Sequence, residues 1–194
     1  VKWHVEVFDA NFENRPDNQK TDKDSPLVAV ATILTMVQKK QETFVEMTTK
    51  KIEECLSKLT KDTKPKWGNL SAQHMIEHLE YTYRIALAEN QNFEIATPEK
   101  ILEKVKNTLY NYEKMPREHM FPLAKESRIT ELKYSNLEEA INKLNEARDS
   151  YLEYFKENPH AITKNVVFGE LNRYEWYLLE RKHLNHHFEQ FGLI

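Results

Sequence analysis

With 194 residues, 40% of them hydrophobic and 30% charged, the chain is long enough for one ordinary domain with its own core. A net charge of −3 and only three glycines exclude a basic footprint for nucleic acid or an anionic membrane, and argue against an all-β fold with many tight turns. The single cysteine, Cys55, excludes a disulfide within the chain and a cysteine-rich zinc site, and fits a reducing cytoplasm.

Taken in chain order, VKWHVEVFDA (1–10) alternates, with Val1, Trp3, Val5 and Val7 on one face and Lys2, His4 and Glu6 on the other. That is the period of a strand. Residues 11–26 are polar with two prolines and read as an exposed loop. LVAVATILTMV (27–37) is rich in β-branched residues and reads as a second, more buried strand, with a helix as the alternative. Residues 1–37 are thus expected to form a long-looped antiparallel hairpin. Two strands alone are marginal in water, so their edges and apolar face favour self-association as a homodimer. A chain that opens inside a patterned segment is expected to be the later part of a longer polypeptide.

From about Gln38 the period becomes helical. Phe44, Met47, Ile52, Leu56 and Leu59 mark an amphipathic helix over 40–60. KDTKPKWGN (61–69) breaks it. Residues 71–90 form the next helix, capped by Asn69 or Ser71. Thr97-Pro98-Glu99 opens a shorter helix over 98–113. Residues 115–134 read as a loop. Ser135-x-x-Glu138 has the form of a capping box and opens a helix to about Glu157. NPHAITKNVVFGEL reads as a loop. Asn172-x-x-Glu175 is a second capping box for a last helix over 173–190, which Gly192 closes. No segment has the roughly eighteen consecutive apolar residues of a membrane helix. The expected fold is mainly α: a four-helix bundle over 40–194 behind an N-terminal β-hairpin.

The chemistry concentrates in the histidines. His183 and His187 are four apart on one helix and share a face, so both imidazoles can converge on one ion. His186 points elsewhere. His78 borders the apolar stripe of Met75, Leu79, Thr82 and Ala86 on another helix and leans inward. His74 precedes it by one turn. The alternative for each is a neutral buried imidazole with one hydrogen-bonded partner. Without thiolate ligands, a metal here is held by nitrogen, oxygen and water, which suits Zn, Ni or Fe(II). A di-iron site needs Glu-x-x-His on two helices; Glu180-x-x-His183 supplies one, but Met75 and Ser71 stand where the second would be. Cys55, among charged residues, reads as half-buried packing. Lys64, Lys66 and Arg84 offer local charge for a CoA-linked ligand.

W-G-N-L-S-A-Q-H-M-I-E-H-L (67–79), followed by H-L-N-H-H-F-E-Q-F-G (183–192), resembles the DinB-like superfamily with its YfiT-type proteins, over roughly 40–194. The resemblance implies a four-helix bundle with a divalent metal on three histidines, here His78, His183 and His187. It leaves His74 as a second-shell or surface residue. It also implies a metal that presents a thiolate or water, as in thiol-dependent S-transferases, so a low-molecular-weight thiol and a small-molecule substrate are expected partners. VKWHVEVFDA and VAVATILTMV resemble the closing strands of a MaoC-like hot-dog domain, such as that of the oxepin-CoA hydrolase/semialdehyde dehydrogenases of phenylacetate degradation. That implies a bundle fused behind a hydratase whose catalytic residues lie upstream, with no hydratase activity in this chain alone. Three functions follow as expectations: a metal-dependent transferase or hydrolase, a non-catalytic accessory domain for the enzyme it follows, or a simple binding module for a small thiol or CoA-linked ligand.

Overall fold

The chain divides into two units, Val1–Lys39 and Lys40–Ile194. A computed structural model describes residues 44–88, 91–117 and 131–194, all in the second unit. The hairpin expected over 1–37 lies outside the described residues.

The described residues are mainly helical, with one small antiparallel sheet. The helices are α1 (Thr49–Leu56), α2 (Ala72–Ile85), α3 (Glu99–Asn107), α4 (Leu137–Glu157) and α5 (Arg173–Gln190). A 3₁₀ turn, Thr108–Tyr110, extends α3. Between α4 and α5 lie β1 (Ile162–Asn165) and β2 (Gly169–Asn172). No described helix is long and apolar enough to cross a membrane.

α5 is the central element, with twelve of its eighteen residues buried. Its start is fixed locally. The Asn172 side chain accepts from the Tyr174 and Glu175 amides, and the Glu175 carboxylate accepts from the Asn172 amide, so first-turn donors that lack helical partners are satisfied. Its end is a Schellman turn: the Leu193 amide donates to Phe188 O, the Gly192 amide to Glu189 O, and Gly192 has φ +69°. α2 packs along α4; Met75, Ile76 and Leu79 of α2 and Ala140, Leu144 and Ala147 of α4 are all buried in the shared core. Tyr83 meets Tyr151 edge to face at 5.2 Å. At the far end of the core Cys55 is fully buried, its thiol beside Leu193 O at 3.7 Å, which makes it interior packing and not a half-buried residue.

Several expectations change. The helix expected over 71–90 ends at Ile85, and the one expected over 98–113 is α-helical to Asn107 and 3₁₀ to Tyr110. Of the helix expected over 40–60, the described residues from 44 onward are helical only over Thr49–Leu56. Upstream of it the Val45 backbone is held by the Asn185 amide, which accepts from Val45 N at 2.8 Å and donates to Val45 O at 2.9 Å; these are groups a helix would need for itself. The cap of α4 moves by one residue: Asn136 accepts from the Glu139 amide, and Glu139 accepts from the Ser135 amide and hydroxyl. The segment read as a loop after α4 contains the hairpin β1–β2, paired Ile162 to Asn172 through Asn165 to Gly169. Its turn is tied by Asn165 Oδ1, which accepts from the Val167 and Phe168 amides, and Gly169 takes φ +74°. The Thr163 hydroxyl donates to Ala86 O and accepts from the Trp176 indole, each at 2.8 Å. One buried hydroxyl thus joins the hairpin to the end of α2 and the first turn of α5.

Candidate metal centre

His78 on α2 and His183 and His187 on α5 meet inside the protein, each with one ring nitrogen within 4.8 Å of the others. His78 Nε2 lies 2.8 Å from His183 Nε2, and His183 Nε2 lies 3.0 Å from His187 Nε2. The His78 and His187 ring centroids are 4.9 Å apart. The spacing of four places His183 and His187 on one face; the apolar stripe of α2 turns His78 toward them.

The outer edges of two rings set their tautomers. His187 Nδ1 lies 2.8 Å from Gln190 Oε1, while Gln190 Nε2 donates to Trp67 O at 2.8 Å. The amide orientation is therefore fixed: its oxygen faces His187, Nδ1 carries the proton, and Nε2 presents a lone pair inward. Thr82 acts more weakly. Its hydroxyl donates to Leu79 O, leaving its oxygen to accept from His183 Nδ1 at 3.5 Å. Burial pushes the His78 imidazole down to about 4 and holds His183 and His187 well below their ordinary range, with mutual repulsion among the rings adding to it. All three are neutral at pH 7, as ligands must be.

Three lone pairs converging on one point suit a cation. Tetrahedral ligands at ~2.0–2.1 Å from zinc lie about 3.3 Å from one another, so the two pairs that include His183 need only part by a few tenths of an ångström. Buried imidazoles that served only as packing would each need a separate donor or acceptor, and here the inward nitrogens face only one another.

The W-G-N stretch has a physical role at this site. Gly68 has φ +75°, and a Cβ there would come within 3.0 Å of Gln190 Nε2. Glycine lets the Trp67 carbonyl approach and hold the amide that orients His187. Sequence reading had missed Gln190, Gly68 and Thr82. Gln190 was findable, since it stands three residues after His187 on the same helix.

The other candidates lie apart from this group. His74 accepts or donates through Nδ1 to the Ser71 hydroxyl at 2.7 Å, at the cap of α2. His186 packs edge-on to Trp67 at 5.8 Å and bonds the Met115 backbone. Arg84, offered above as charge for a CoA-linked ligand, is engaged by the Glu80 carboxylate, and Lys66 packs beside Gly192. A groove of about 610 Å³ lies between α4, β1 and the start of α5, lined by Tyr151, Phe155, His160, Ile162, Tyr174 and Tyr177 among others. None of the three histidines lines it, so its size does not make it the metal pocket.

No family model, curated protein or solved structure matches the chain.

Proposed function

We propose that the chain carries a divalent-metal centre on His78, His183 and His187 and works as a metal-dependent thiol S-transferase or hydrolase of the DinB-like type. The observation that carries this reading is the convergence of the three Nε2 atoms, with the proton of His187 held on the opposite nitrogen by Gln190. The four-helix-bundle reading of residues 40–194 is supported by α2 running along α4, by α5 meeting α2 at the histidines, and by Cys55 of α1 lying against Leu193. An all-nitrogen protein set favours Zn or Ni, with Fe(II) next. When bound, such an ion lowers the pKa of a thiol or water and presents the resulting anion. This chain's own residues do the rest: neutral imidazoles hold the ion, and Gln190 and Thr82 aim them.

The test is metal content. Protein purified without chelators is expected to hold or take up one equivalent of ion. His78→Ala and His187→Ala should each lose it while helicity is largely kept; full occupancy in both would reject this ligand set.

A second reading has its own observation. His183 and His187 are buried at 8% and 6% exposure, and the groove described above does not reach them. That favours a structural metal in an accessory domain, for which the resemblance of residues 1–37 to hot-dog strands suggests a CoA-linked enzyme of phenylacetate breakdown. Cobalt substitution separates the two. A visible spectrum that changes on adding a small thiol supports an open coordination position; an unchanged spectrum supports the structural role.

A further inference from the structure

α5 carries several buried polar side chains, and their partners are known. Glu175 accepts from Tyr110 and pairs with Lys106. Lys182 donates to Thr108 O, Asn111 Oδ1 and Glu113 O. Asn185 serves Val45, and Gln190 serves His187 and Trp67. Glu180 differs. It is 4% exposed, and neither carboxyl oxygen has a hydrogen-bond partner. It stands three residues before His183, on the same face of α5 and one turn from the centre.

We propose that Glu180 is the carboxylate that balances the charge of the bound cation, reaching it through an intervening water. The inference rests on the metal reading above. Its side chain is not within the 4.8 Å group of ring nitrogens, which places it outside direct ligation. A dication one turn away supplies the positive partner that a carboxylate inside a protein needs; the buried Arg148 guanidinium, its Nε and Nη1 likewise without hydrogen-bond partners, acts on the same Tyr83 but makes no hydrogen bond to Glu180. Three neutral imidazoles cancel none of the ion's charge, so the site has a use for one anion.

The neighbouring groups agree. Tyr83 from α2 and Tyr151 from α4 are raised by burial first and by the Glu180 charge next, so both stay protonated. Arg148 from α4 acts on Tyr83. With no cation, burial pushes the Glu180 carboxyl up to about 8, so at pH 7 it is mostly the neutral acid. On metal binding the O–H bond breaks, the proton passes to buffer, and the carboxylate remains beside the ion.

The experiment is zinc titration of the metal-free protein at pH 7, following affinity and proton release, with wild type and Glu180→Gln compared. Wild type should release about one proton more than Glu180→Gln. The variant should bind zinc about 10- to 100-fold more weakly, the usual effect of losing an outer-shell partner. On wild type alone, the infrared carbonyl band of a protonated carboxylic acid should vanish when zinc is added, a readout that survives if the variant does not fold. Equal affinity and equal proton release, or a band indifferent to zinc, overturns the role of Glu180 and leaves the three-histidine centre standing. Failure of wild type to bind zinc overturns both.

Discussion

At the scale of single residues, the three imidazoles and Glu180 set opposing pH dependences in the metal-free protein. An unfolded histidine titrates near 6.5, while folded His78 waits until about 4 and His183 and His187 lie well below their ordinary range. Between those values the unfolded chain binds more protons, so stability falls as pH drops below about 6.5. Glu180 runs the other way. Its folded value is about 8 against an ordinary 4.5, so the folded state holds the extra proton, and stability falls as pH rises toward 8. These groups together predict greatest metal-free stability near pH 6.5, measured by chemical denaturation across pH. Glu180→Gln should flatten the alkaline side and steepen the acid side between about pH 4.5 and 6.5, because the Glu180 proton opposes the histidines across that range. Gln190 is a second residue-scale test. Gln190→Ala removes the acceptor at His187 Nδ1 and should weaken metal binding about 10- to 100-fold, read by competition with a coloured chelator. An unchanged affinity would show that the His187 ring is oriented by packing alone.

At the scale of elements, legibility followed the range of the interactions. The caps of α5 were readable because Asn172, Glu175 and Gly192 act within a turn of themselves. His183 and His187 were readable together for the same reason. The hairpin β1–β2 was not, because its four-residue strands carry little pattern. What holds them is the Thr163 hydroxyl between Ala86 and Trp176, contacts made only once α2 and α5 are in place. Thr163→Val keeps the shape and removes both bonds, leaving the buried indole N–H of Trp176 without an acceptor. Unsatisfied buried donors cost about 1–3 kcal/mol, so urea unfolding should show a loss of that order. The isolation of Glu180 was hidden too: the motif Glu180-x-x-His183 was visible, but whether neighbouring helices offer the carboxyl a donor is a property of packing.

At the scale of the whole molecule, metal binding should couple to folding, because His78 and the α5 pair come from helices separated by about a hundred residues of chain (|i−j| 105 for His78 and His183). An ion that binds only the assembled site stabilises it by about 2.7 kcal/mol at a hundred times its dissociation constant. For a chain of this size that is a rise in Tm of roughly 5–10 °C, and it should be absent from His78→Ala.

The most direct measurement is X-ray absorption at the metal edge of the one-to-one zinc complex. Three imidazole nitrogens at ~2.0–2.1 Å are expected for wild type, and two for His78→Ala under conditions that force loading. A first shell of oxygens alone, or one identical in the two proteins, would contradict a centre shared between α2 and α5.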